Sequence, residues 1–233
     1  MSFRLFATGL TASFFIAWLA VVVVPFFKLR NPAPVSFKEG VDTQEGIYHP
    51  KRAGRVANGA IVYAENGCYQ CHTQVIRNTD AGNDLGRPAW GGLAGDPERG
   101  DTRRESNIFD YSGESFAQIG VTRLGPDLSN FGRRVLAEQG DQAEAWIYRH
   151  LYNPRLDPER ALWSTCPPHP FLFEERKVYG QRSDDAVPTE TEEGTEIVPG
   201  SQAKALASYL LSLQRDNAVP ASMNYAPKTE PQG

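Results

Sequence analysis

The chain is poor in sulfur and imidazole: its 233 residues include three cysteines, four histidines and two methionines, one of them Met1. Zinc-type spacing is missing. Cys68 and Cys71 form a single C-x-x-C, and His49, His150, Cys166 and His169 do not supply a second pair. A surplus of basic charge is also missing. The formal charge of -4 leaves no broad cationic surface and argues against nucleic acid as a partner. There is no internal repeat and no convincing nucleophile-base arrangement.

What the chain does have is apolar mass, with 40% hydrophobic positions, enough for one membrane anchor and one domain with a core. The run from Leu5 to Phe27 carries no charge, and at about 1.5 Å per residue it reaches the roughly 30 Å of a bilayer core. A cleaved signal peptide is the rival reading. The run exceeds the roughly 7–15 residues of a signal core and no small-x-small site follows it, which favours an uncleaved anchor over residues 1–30. Arg4 on one side and Lys28 and Arg30 on the other leave orientation unsettled by charge.

Residues 31–50 read as a linker, stiffened at its start by Asn31-Pro32-Ala33-Pro34. From about Lys51, Val56, Gly59, Ala60, Tyr63 and Ala64 recur at helical spacing and lead into Cys68. Residues 78–115 are rich in Gly, Asp, Arg and Pro without periodicity, and read as a surface excursion. Asp141-Gln142-Ala143-Glu144 has the form of a capping box, opening a helix with Ala143, Trp146, Ile147, His150 and Leu151 on one face and Asn153-Pro154 at its end. A further helix follows Pro199-Gly200-Ser201, with Ala203, Leu206, Ala207, Leu210 and Leu211 in register, ending near Asp216. Between them the acidic block from Asp184 to Glu196 is expected to stay solvated. Residues 217–233 lack an apolar face and read as an extended or disordered tail.

Cys68-Tyr69-Gln70-Cys71-His72 is a C-x-x-C-H segment, specific for covalent haem c: the two thiols add to the vinyl groups and the imidazole binds iron. Arg123-Leu124-Gly125-Pro126-Asp127-Leu128 suits a loop passing the proximal imidazole, whose second nitrogen a backbone carbonyl fixes; an ordinary Gly-Pro turn is the alternative. Arg123 and Pro126 join the candidate cofactor-binding residues. Because bacterial haem attachment takes place outside the cytoplasm, the domain after Arg30 is expected in the periplasm and the N-terminus in the cytoplasm.

The sixth iron position distinguishes a carrier from an open site. Methionine is the usual ligand, but Met223 lies beyond the last helix. Trp163-Ser164-Thr165-Cys166-Pro167-Pro168-His169-Pro170 is a proline-stiffened loop between the later helices, with Cys166 as first candidate and His169 as alternative. A buried free thiol and a surface histidine are the plainer readings of the pair. His49 and His150 read as structural.

Taken together, the anchor, the stretch Glu65-Asn66-Gly67-Cys68-Tyr69-Gln70-Cys71-His72-Thr73-Gln74-Val75-Ile76-Arg77, Tyr111-Ser112, Arg123 through Leu128, and His150-Leu151-Tyr152-Asn153-Pro154-Arg155 resemble subunit II of cbb3-type haem-copper oxidases, a membrane-anchored monohaem cytochrome c. The resemblance covers most of the chain. It implies a mostly α protein: one transmembrane helix, then an all-α cytochrome c-type domain over 51–216 with long loop insertions. It also implies one haem c and a non-catalytic relay to an oxygen-reducing haem-copper subunit, fed by a dihaem subunit or a soluble cytochrome c. The family's methionine ligand aligns with Cys166, a departure at the iron. Other readings are a haem carrier of another periplasmic complex, such as nitric oxide reduction, and a thiolate-haem enzyme or sensor.

Overall fold

The computed structural model describes residues 2–30, 33–42, 44–48, 53–111, 114–158 and 163–223. His49, Asn31, Pro32, Ser112 and residues 224–233 of the tail lie outside the described residues. The chain divides into two compact units, Met1–His49 and Pro50–Gly233.

In the first unit α1 (Phe3–Trp18), a π-helical turn (Leu19–Val23) and α2 (Val24–Leu29) run on as one helix, Phe3–Leu29. Its 27 residues and mean hydropathy of 2.3 make it long and apolar enough to cross a membrane. The π turn has a local cause in Pro25, which has no N–H and whose ring crowds the carbonyl one turn back. The ladder widens so that the Val24 N–H donates to Leu19 O. Beyond it, the expected linker contains a small closed loop. The Phe37 N–H bonds Gly46 O at 2.9 Å, the Tyr48 N–H bonds Val35 O at 2.8 Å, and the Phe37 and Tyr48 rings meet edge to face.

The second unit is built on α3 (Gly54–Glu65), α4 (Phe131–Gln139), α5 (Ala143–Tyr152) and α6 (Ser201–Ser212). α3 and α6 cross closely because the contact is made through Gly59: a Cβ there would lie 2.0 Å from Ala205 O. Gly132 gives α4 the same intimacy with Leu211 O. Val62, Tyr63, Val135, Ile147, Leu151, Leu206 and Leu210 close the core between these helices, each such side chain contributing about 1.5–3 kcal/mol by burial.

Four expectations need correction. The domain is not all-α: β1 (Phe173–Lys177) and β2 (Thr195–Pro199) pair antiparallel, with Phe173 opposite Pro199 and Lys177 opposite Thr195. The β-branched run Thr195–Val198 suits a strand, and β2 is buried where β1 is exposed. The acidic block is therefore not uniformly solvated. Glu196 is buried, accepting from Arg176 Nε at 3.0 Å and from the Ser183 N–H at 2.8 Å. Second, no capping box forms. α4 runs through Gly140 into the 3-10 turn Gly140–Gln142, Gln142 stands at the cap of α5 without a side-chain bond, and Glu144 takes the Tyr148 hydroxyl instead.

Third, the 78–115 excursion is irregular but not superficial, for Asp84, Arg104 and Asp110 are buried. Arg104 forks onto the Asp110 carboxylate, and Asp216 receives Thr102, Arg99 and Arg133. Fourth, the described start of the tail is packed: Met223 is buried and its carbonyl accepts from Asn107 Nδ2 at 3.3 Å. In the excursion, buried charge needs partners, and here they include Asp216 and the Asn217 carbonyl from the far end of the chain.

Candidate haem attachment site

α3 ends where Gly67 adopts φ 67°, a left-handed conformation that turns the chain directly into the 3-10 turn Cys68–Gln70. Within this turn the Cys71 and His72 N–H groups both donate to Cys68 O, at 3.2 and 3.0 Å. Cys68, Cys71 and Cys166 are all free thiols, half-buried. Burial, reinforced by the nearby thiols of Cys166 and Cys71, pushes Cys68 up to about 12.

The His72 imidazole is held by the loop at Gly125-Pro126. Its Nδ1 lies 2.8 Å from Pro126 O, a contact that makes Nδ1 the donor and turns Nε2 to the other side. The fit against Gly125 is tight: a Cβ there would stand 2.2 Å from His72 Cε1. Burial, together with the positive Arg134, lowers the His72 pKa against the opposing pull of the Pro126 carbonyl, so the ring is kept neutral, as metal binding requires.

This loop is sewn to the motif along its length. The Val121 N–H donates to Tyr69 O at 2.9 Å, Thr122 Oγ1 to Gln70 O at 2.6 Å, the Gly125 N–H to Cys71 O at 2.9 Å and the Leu128 N–H to Thr73 O at 2.8 Å. Asp127, fully buried, accepts from Thr73 Oγ1 at 2.6 Å, the Val75 N–H at 3.0 Å and the Ser129 N–H at 2.8 Å.

Arg123 stands one step behind. Its guanidinium bonds Asp84 at 2.6 and 2.8 Å, Thr73 Oγ1 at 3.0 Å and Val75 O at 2.7 Å, and lies over Trp90. It acts by positioning the segment that follows His72. Burial alone would raise the Asp84 carboxyl, but the bonds from Arg123 and Arg77 prevail and hold it well below the usual carboxylate range.

In the 163–170 loop, Cys166 Sγ lies 3.7 Å from Pro167 O. Burial and the neighbouring Cys71 raise its thiol against the positive charge of Arg155. His169 is buried, its Nδ1 bonds to nothing among the described residues, and burial lowers its pKa. His150 stacks flat on Trp146, a structural role. Met223 donates its N–H to Pro220 O in a local turn and is engaged with the excursion through Asn107.

Among the described residues no three His, Cys, Asp or Glu side chains converge to hold a bare ion. The donor set instead suits a group that brings four equatorial ligands of its own and asks the protein for one or two axial ones. Two adjacent unpaired thiols and a neutral, oriented imidazole fit haem c in this way.

Three parts of the site escaped the sequence reading. Gly125 and Asp127 stood in the quoted loop without a role of their own, and Asp84 stood in the excursion with no local signal. The chain matches no family model and no curated protein.

Proposed function

We propose that the chain is a membrane-anchored, monohaem c-type cytochrome that relays electrons to the catalytic subunit of a cbb3-type haem-copper oxidase. The observation that carries the reading is the His72 ring, bonded through Nδ1 to Pro126 O and seated on Gly125, within a C-x-x-C-H segment whose thiols are both free. An imidazole fixed at one nitrogen presents the other with a set direction and increased basicity, which is what an axial iron ligand needs. Cys68 and Cys71 would make the thioether links, and a haem bound there supplies one-electron exchange at its iron.

The protein's part is positional. Asp127 and Arg123 fix the backbone after His72, and the Pro126 carbonyl fixes its ring. Cys166, or His169 in its place, would serve as the second iron ligand. A thiolate or imidazole donates more strongly than a thioether and lowers the reduction potential. The helix Phe3–Leu29 anchors the chain in the bacterial inner membrane, with its N-terminus cytoplasmic and the haem domain periplasmic. Electrons arrive from a dihaem subunit or a soluble cytochrome c.

Two experiments test this. Produced with a c-type maturation system, the protein is expected to carry one haem that survives denaturing electrophoresis, and Cys68→Ser/Cys71→Ser is expected to abolish it. Purified from native membranes, it is expected to bring copper and haem b with it. A haem protein arriving without them would point to another periplasmic complex. Ferrous haem that binds carbon monoxide or nitric oxide readily would point to a sensor.

A further inference from the structure

The loop carrying Cys166 is tied to Arg155, in the 3-10 turn after α5, and to Leu151 near the C-terminal end of α5. At the near end Arg155 Nη2 donates to Ser164 O at 3.0 Å and Nη1 to Cys166 O at 3.4 Å. At the far end the His169 N–H donates to Leu151 O at 2.9 Å. Pro167 and Pro168 lie between the two ties and restrict the backbone there.

Arg155 is itself fixed. Its N–H donates to Asn153 Oδ1 at 3.0 Å, in the 3-10 turn Pro154–Leu156 that follows α5, and Pro154 of that turn is buried. The guanidinium is thus carried on an extension of a core helix. Its fork reaches two carbonyls two residues apart, which a single ammonium cannot match.

We propose that Arg155 is the positioning residue for the sixth iron ligand: by holding the carbonyls of Ser164 and Cys166 it sets how Cys166 approaches the iron. This rests on the proposed function, with haem on His72 and Cys166 opposite. The side chain is exposed and the His169 tie is independent of it, so removing Arg155 loosens the loop without opening the core. Loss of charge-assisted bonds to two carbonyls is expected to lower the ratio of six- to five-coordinate ferric haem roughly tenfold. Carbon monoxide binding to the ferrous protein should accelerate by a similar factor.

The test compares the parent holoprotein with Arg155→Gln, Arg155→Lys and Cys166→Ser by electron paramagnetic resonance and carbon monoxide kinetics, with thermal melting as a check on folding. The expected result is a changed ferric signal in Cys166→Ser, a mixed-spin population with faster carbon monoxide binding in Arg155→Gln, and an intermediate position for Arg155→Lys. Should Arg155→Gln not fold, Arg155→Lys decides on the same two readouts. A parent protein without haem overturns the functional reading and this inference with it. A Cys166→Ser signal identical to the parent removes the ligand and the inference, leaving a haem protein. A changed Cys166→Ser signal beside parent-like Arg155 variants overturns the role of Arg155 alone.

Discussion

The two flanks of the candidate iron site are built differently. On the His72 side, four hydrogen bonds and two buried carboxylates converge: the 121–128 loop is bonded to the motif at Tyr69, Gln70, Cys71 and Thr73, and Asp127 and Asp84 brace it from behind. At Cys166 a proline-rich loop is held by Arg155, in the turn after α5, and by Leu151 of α5. The first flank is over-determined and leaves the imidazole one placement. The second relies in part on an exposed guanidinium. Under the proposed function, that asymmetry would let the ligand at the Cys166 loop change without unseating the haem.

The contrast can be broken most severely at Gly125. Gly125→Ala sets a Cβ 2.2 Å from the imidazole and is expected to abolish stable haem attachment, read as loss of the haem-stained band at unchanged protein yield. Next in size is Asp84→Asn. It removes the carboxylate that Arg123 and Arg77 share, and unfolding in urea is expected to show a loss of about 3 kcal/mol.

The same carboxylate gives a pH signature. Asp84 is depressed in the folded protein, so its contribution is complete above its unfolded pKa of about 3.9 and is lost as pH falls toward the folded value. Stability followed from pH 5 downward should decline less steeply in Asp84→Asn than in the parent; equal slopes would refute the assignment. At the small end, Thr122→Val removes one hydroxyl bond to Gln70 O and is expected to cost about 1 kcal/mol with the haem spectrum intact. A large spectral change there would mean that the proximal flank is less redundant than its bonds suggest.

How much of this could be read beforehand depends on the range of the interaction. Helices α3, α5 and α6 were readable from their apolar periodicity, and the Asn153-Pro154 stop of α5 from local chemistry. α4 was missed, since Phe131–Gln139 holds two arginines and a glycine whose value lies in contact with Leu211. The strand pair was missed because β1 has almost no apolar residues, and its partner begins inside the acidic block. The capping box failed because the preceding turn left no room for a conventional cap. Asp84 was unreadable in kind: its partner Arg123 is 39 residues away, and an aspartate in a Gly- and Arg-rich loop looks like solvent-facing charge.

The sequence by itself determined an apolar span long enough for a bilayer and the C-x-x-C-H segment, since both are local: one needs length and composition, the other five consecutive residues. Only the tertiary structure decided that Gly125 lies against the imidazole, that Arg123 braces the backbone behind it, and that Arg155 grips the Cys166 loop. Those depend on close approach and on charge pairing between distant segments. Steric exclusion and desolvation act only once the chain has brought them together.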